Sequence, residues 1–430
     1  MTTLKLSDTG SLVEALQLAL ARSGYLLGSI DGIFGKLTEE SLKTFQRNFS
    51  LTPDGIAGPE TWAKLERFIK GYFIRSIQRG DSLWSIAAMY GTSVQAIITA
   101  NPGITPNDIA IGQRITVPFG FPVVPNNISY SSFLTKLLLD GLKARYPFVG
   151  LSGIGKSVMG RDIKLLTIGE GRKQLFVNAA FHANEWLNIP FVLTFAEQYL
   201  RAYSAGISIG GKNAAELYKS TTLHLAPLVN PDGVDLVTKA LQSGSYYLKA
   251  LEISSEYPDI PFPSGWKANI SGTDLNLQYP AEWEKAKEIK FAQGFTSPAP
   301  RDYVGTAPLT APEAAAIYNY TRQNNFGMII AYHSQGNIIY WKFKNYNPPE
   351  SERIGQVLSD ASGYPLELTP ADSAYAGYKD WFIQEYNRPG YTVETGNGVN
   401  PLPISQFDDI YKANLPLMLS ALNETSALPI

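Results

Sequence analysis

The sequence predicts an α/β domain with a mixed, mostly parallel sheet flanked by helices, preceded by a small three-helix bundle and a βααβ module. Three observations carry that expectation. From residue 128 onward, strand-like and helix-like segments alternate. Near the N-terminus a turn motif occurs twice, DGIFGKLT at 31–38 and DGIAGPET at 54–61. Between these regions, residues 72–118 read strand, helix, helix, strand.

Composition bounds the function. The 430 residues correspond to about three units at about 150 residues each. With 36 Lys+Arg against 38 Asp+Glu, the chain is no generic nucleic-acid binder. A hydrophobic fraction of 44% with only 17% charged residues allows a substantial core. Cysteine is absent, which excludes disulfides, thiolate metal sites and Cys nucleophiles, so any metal must sit on His, Asp or Glu. The N-terminus lacks a basic region, so no signal peptide is expected, and no run of about 18 apolar residues marks a membrane span. A soluble protein made in the cytoplasm is expected, its export route and oligomeric state not legible.

In the first module, residues 1–70, each turn motif launches a helix. Asp-Gly makes the turn, and Glu39, Glu40 and Glu60 meet the positive end of the helix that follows. Helices are expected at 10–24, 38–48 and 60–69, with Leu12, Ala15, Leu16 and Leu20 forming one apolar stripe and Leu42, Phe45 and Phe49 another. In residues 72–118, YFIRSIQ is a strand, GDSLWSIAAMYG a helix with Asp81 as N-cap, VQAIITAN a second helix and GQRITVP the returning strand. So small a unit is expected to bury Leu83, Trp84, Ile86, Ala87, Ile97 and Ile98. FGFPVVPNN, 119–127, reads as a short stiff linker.

The large domain, 128–430, is expected to place strands at 163–168, 174–181, 221–229, 326–332 and 390–394. Helices are expected at 131–145, 187–204, 311–323, 350–361 and 378–386. In such sheets reactive residues sit where strands end. His182 and Glu185 follow one strand, His333 follows another, and Glu394 ends the last. A His–Glu–His set supplies the three protein ligands of a catalytic zinc, one per chain, and Glu394 is the carboxylate available as base. His224, within TTLHLAPLV, is expected as a packed strand residue.

Residues 8–68, with Gln17, the two Asp-Gly-Ile-x-Gly-x-x-Thr turns and Phe45-Gln46, resemble the three-helix peptidoglycan-binding domain. Residues 72–118 resemble a LysM domain at Gly80-Asp81-Ser82-Leu83, Ile86-Ala87, Asn101 and Gly112-Gln113. These likenesses imply glycan strands of peptidoglycan as partners, with avidity where both modules engage. Over 128–430, IGKSVMGRDI, FHANEW, LVNPDG, WKANISGTDLN, AYHSQG, KDW and TVETG together resemble the zinc carboxypeptidase family. The resemblance implies that His182, Glu185 and His333 ligate zinc and that Glu394 is general base and then proton donor. It places Lys267 where the family has an oxyanion-stabilising arginine, and Asn276 at a position that holds substrate.

One departure matters. Where the family has Asp-Leu-Asn-Arg, whose arginine clamps a terminal carboxylate, this chain has Asp274-Leu275-Asn276-Leu277. Ordinary C-terminal exopeptidase action therefore loses its anchor. The family's mobile tyrosine is expected at Tyr375, with Tyr378 the other candidate. Residues 274–295, 297–305 and 373–396 resemble the γ-D-glutamyl-diamino acid endopeptidases of spore-forming bacteria, which cut between γ-D-glutamate and meso-diaminopimelate in stem peptides. That likeness implies a cell-wall or spore-associated peptidase and charged partners for diaminopimelate, with Arg301, Asp302, Lys379 and Arg388 as candidates. The alternatives are a zinc carboxypeptidase acting on C-terminal residues and an inactive wall-binding protein.

Overall fold

The computed structural model describes residues 3–429, and the chain divides between Gly150 and Leu151 into two compact units. In the first unit, helices Ser11–Arg22, Lys36–Asn48 and Pro59–Lys70 form the expected bundle. Its repeat is a repeated hydrogen-bond device. Buried Gln17 donates to Asp31 Oδ1 (2.8 Å) and Thr38 Oγ1 (3.1 Å) and accepts from the Gly32 amide (2.9 Å). Gln46 treats Asp54, Thr61 and the Gly55 amide in the same way, at 2.8, 3.2 and 2.9 Å.

Strands Tyr72–Ser76 and Arg114–Pro118 pair antiparallel around helices Leu83–Met89 and Val94–Ala100, the expected βααβ order. Two local expectations fail. Ser82, not Asp81, caps the first helix, exchanging bonds with Ser85 at 3.0 and 2.9 Å. Asp81 instead accepts from the Gln78 amide (2.8 Å) and from Arg75 Nη2 at 2.9 and 3.0 Å. Trp84 is 73% exposed rather than in the core, because so short a helix offers one face inward and Leu83, Ile86 and Ala87 fill it.

The segment 119–127 is packed rather than a free spacer: Val123 and Val124 are buried, and Arg145 donates to Phe119 O (2.9 Å) and Phe121 O (3.0 Å). Helix Ser132–Arg145, expected to open the large domain, lies in the first unit, where Gly141 approaches Lys70 O too closely for any Cβ.

The second unit is built on an eight-stranded sheet. Its parallel centre runs Gly390–Glu394, Phe326–His333, Lys173–Ala179, Thr221–Ala226. Antiparallel neighbours are Ile338–Tyr340 on one side and Asp162–Ile168 on the other, with Leu366–Glu367 and Gly150–Lys156 at the edges. Every residue of Phe326–His333 is buried, as a central strand covered on both faces requires. Ile329 and Ala331 face Ile317, Tyr378 and Trp381 of helices Pro312–Arg322 and Tyr378–Tyr386. Tyr332, pointing the other way, meets Phe191 of helix Asn188–Ala205. The sheet is therefore mixed, mostly parallel and flanked by helices. Among the described residues no helix is long and apolar enough to cross a membrane.

Candidate metal centre

Three parallel strands deliver their C-terminal ends to one edge: Ala179, His333 and Glu394. Beyond Ala179 the chain turns through Ala180, whose φ of 55° is left-handed and unusual for a residue with a Cβ. Buried Asn230 holds that turn, donating from Nδ2 to Phe181 O (3.1 Å) and Ala268 O (3.0 Å) while its amide donates to Ala180 O (3.0 Å). Gly233 closes the assembly, since a Cβ there would lie 2.7 Å from Ala268 O and 2.8 Å from Ala183 Cβ. This is the structural reason for the LVNPDG segment, and it delivers His182 to the strand edge.

His182 Nδ1 lies 2.8 Å from Glu185 Oε1, His333 Nδ1 3.0 Å from Glu185 Oε2, and the two Nδ1 atoms 3.1 Å apart. All three residues are buried. Nitrogens and oxygens around a tetrahedral zinc at about 2.0–2.1 Å stand about 3.3 Å apart, so the set matches a zinc site. The donors also fit chemically. His182 Nε2 is 3.1 Å from Asp274 Oδ1, which places the ring proton on Nε2 and turns the Nδ1 lone pair inward. Two imidazole lone pairs and a carboxylate then converge, an arrangement a cation stabilises. The Phe181 ring stacks 5.8 Å from that of His333, 15° from parallel, and fixes its plane.

The set opens into a cavity of about 910 Å³ that Lys267, Asn276, Leu277, Arg301 and Glu394 also line. Asp274 joins its parts: Oδ1 accepts from the Asn276 amide (3.1 Å) and Oδ2 from the Asp302 amide (3.3 Å). Burial would raise its carboxyl, but His182 and Lys267 hold it far below the ordinary range. Lys267 O accepts from the Ala183 amide (3.0 Å), and its own amide donates to Pro300 O (2.7 Å), so the lysine is tied to the loop that carries His182 and Glu185. Burial pulls its ammonium down, yet Asp274, Glu185 and Asp302 outweigh burial and raise it, so Lys267 stays charged. Burial, reinforced by the charge of Glu185, pushes Glu394 up to about 8. A divalent cation between them would work in the opposite sense.

The remaining expected site residues separate. Asn276 Oδ1 accepts from the Tyr378 amide (3.0 Å). Leu277 packs with Trp283, Val304 and Ala376, and Tyr375 packs against the same cluster, outside the cavity lining. Tyr378 is a core residue bonded to Thr321 Oγ1 (2.9 Å). Lys379 is 4% exposed and bound to Asp380 (2.6 Å) and Lys342 O (2.8 Å). Arg388 also lies outside the lining, donating to Asn325 Oδ1 (2.8 Å) and Phe326 O (2.6 Å). Asp302 serves protein cations, Lys290 at 2.7 Å and Arg301 at 2.6 Å. His224 is buried against the Tyr320 hydroxyl (2.7 Å), away from the ligands.

Sequence reasoning missed three residues. Asp274 was visible only as part of a motif, Lys290 lies on a helix that was not foreseen, and Tyr340 comes from the strand Ile338–Tyr340. The register sets Tyr340 opposite Thr392 and Ile338 opposite Glu394, so Tyr340 shares a face with Glu394. It is the one tyrosine among the lining residues.

Comparison with known proteins agrees with this geometry. The zinc carboxypeptidase family matches residues 136–416, the peptidoglycan binding domain 9–65 and the LysM domain 76–118. Gamma-D-glutamyl-L-diamino acid endopeptidase 1 of Lysinibacillus sphaericus is 44% identical over 80% of this chain and 98% of its own length. The YqgT protein of Bacillus subtilis is 40% identical over 64% of this chain and 73% of its own. Among solved structures, bovine thrombin-activatable fibrinolysis inhibitor in complex with tick carboxypeptidase inhibitor shares the fold, with a TM-score of 0.55 at 19% identity over 70% of this chain and 98% of that one. With its His182–Glu185–His333 cluster at the strand edge and both N-terminal modules matched, the chain belongs to the zinc carboxypeptidase family of metallopeptidases.

Proposed function

We propose that this zinc metallopeptidase hydrolyses the bond between γ-D-glutamate and meso-diaminopimelate in peptidoglycan stem peptides, held on the glycan strands of the cell wall by its two N-terminal modules. One observation carries the reading: a complete His182–Glu185–His333 set with Glu394 beside it opens into a cavity where Leu277 replaces the terminal-carboxylate clamp. The near full-length likeness to an enzyme named for γ-D-glutamyl-diamino acid cleavage supports the same bond.

Bound zinc supplies a Lewis acid and lowers the pKa of water. His182, Glu185 and His333 would hold it, with Asp274 fixing the ring of His182. Glu394 accepts the proton of the attacking water and returns it to the departing amine of diaminopimelate, so its carboxyl ends as it began. Lys267 faces the oxyanion that forms at the γ-carbonyl, as a single charge where an arginine would offer a fork. Asn276 spends its carbonyl on the Tyr378 amide, leaving its NH₂ for the substrate.

The test is hydrolysis of L-Ala-γ-D-Glu-meso-diaminopimelate and of the tetrapeptide ending in D-Ala, with products identified by mass spectrometry. The expected products are L-Ala-D-Glu with diaminopimelate or diaminopimelyl-D-Ala, lost on chelation. Glu394→Gln should lower turnover by about 10²–10⁴-fold with zinc content unchanged. Release of D-Ala alone would establish a carboxypeptidase instead.

A further inference from the structure

We propose that Arg301 is a specificity-determining residue that reads a non-reacting carboxylate of the stem peptide, taking over by a different route the role left open at Leu277. This rests on the stem-peptide reading above and deepens it.

Position comes first. Pro300 O accepts the amides of Lys267 (2.7 Å) and Ala268 (2.9 Å), and the Asp302 amide donates to Asp274 Oδ2. Arg301 is thus fixed between the lysine facing the oxyanion and the aspartate that orients a metal ligand. Its orientation is set as well. Nε donates to Asp302 Oδ2 (2.6 Å), and Lys290 Nζ occupies Asp302 Oδ1 (2.7 Å). Nη1 and Nη2 have no hydrogen-bond partner among the described residues, so one edge of the guanidinium is anchored while the end remains for a planar anion.

Exposure separates Arg301 from the other cations of the cavity wall. Its side chain is 46% exposed, against 11% for Lys290 and 4% for Lys379, whose ammonium groups are engaged by aspartates. Burial works against its charge, yet Asp302, then Asp274 and Glu185, keep it cationic. The substrate offers matching chemistry. A γ-linkage leaves the α-carboxylate of D-glutamate free beside the scissile bond, and diaminopimelate carries a second carboxylate beyond it. An ordinary internal peptide bond has neither. A guanidinium end fits either carboxylate and makes no equivalent bond to an amide.

The experiment compares wild-type enzyme with Arg301→Gln and Arg301→Lys on three tetrapeptides: the parent, one with D-glutamate amidated to D-isoglutamine, and one with the side-chain carboxylate of diaminopimelate amidated. For wild type, kcat/KM should fall by about 10–100-fold on one amidated substrate, the loss of a charge-assisted pair. Arg301→Gln should lower the parent to that level and cleave the parent and that amide equally, with Arg301→Lys intermediate. The sensitive substrate identifies which carboxylate is read. If wild type cleaves all three alike, or Arg301→Gln keeps the discrimination, the proposal is overturned while the bond assignment stands. If wild type cleaves none of them, the bond assignment fails and takes this proposal with it.

Discussion

Glu313 offers a quantitative test of how the second unit is held together. Its carboxylate is fully buried at the start of helix Pro312–Arg322, where Oε1 accepts from the Val158 amide (3.0 Å) and Oε2 from Asn269 Nδ2 (3.1 Å). Those donors favour the charged form, but burial dominates and lifts the carboxyl from 4.5 to about 7. The folded state therefore binds the proton more tightly than the unfolded chain. Stability from this group is fully present below pH 4.5 and is lost as pH rises through about 7. A gap of about 2.5 pH units at about 1.4 kcal/mol each gives about 3–4 kcal/mol, of which about 3 falls between pH 4 and pH 8. Glu313→Gln mimics the protonated form at every pH. Relative to wild type it should gain about 3 kcal/mol between pH 4 and pH 8, read as a widening difference in urea midpoints followed by tryptophan fluorescence with zinc saturating. The difference is the informative quantity because His224 works in the opposite direction. Burial lowers its imidazole to about 4, so its contribution is present above pH 6.5 and lost as pH falls, masking the slope in wild type. Parallel curves for wild type and Glu313→Gln across that range would refute the burial argument.

Other outcomes follow from the same packing. Asp274→Ala frees His182 Nε2 and should weaken zinc binding by about 10–100-fold in chelator competition, with little loss of helix signal. Gly233→Ala pushes a methyl to within 3 Å of Ala268 O, Asn230 Oδ1 and Ala183 Cβ, and should cost about 1–3 kcal/mol of stability by chemical denaturation. In the LysM module Trp84→Ala should change stability by about 0.5 kcal/mol or less, whereas Leu83→Ala should cost about 2–5 kcal/mol, measured by thermal unfolding of the full chain.

The His182–Glu185–His333 cluster was legible because the chain has three histidines and two of them stand at or just beyond the ends of strands whose apolar runs mark them as central. The bundle repeat was legible for a similar reason: the turn chemistry is local and appears twice. What was not legible depends on contacts between distant segments. Tyr375 lies beside the cavity in sequence terms, yet its ring is claimed by Leu277 and Trp283. Arg301, Asp302 and Lys290 meet through a loop and a helix whose polar face shows no outward sign of pairing inward. Strand Gly150–Lys156 escaped because its glycines break the alternation that identifies strands. Trp84 was misplaced because apolar character alone does not say which side of a two-turn helix faces the core.

Glu394 and His333 face each other across adjacent parallel strands, register partners in the ladder. The spacing between such strands is about 4.8 Å and is a property of the peptide hydrogen bond rather than of any side chain. The separation between Glu394, the proposed base, and His333, a proposed metal ligand, is therefore ruled by the backbone lattice. Substitutions remote from this edge change how many molecules are folded, and leave each folded molecule with the same separation at which to pass a proton. Losses of activity from such variants should scale with the folded fraction, so that turnover per native molecule stays constant until the ladder itself is broken.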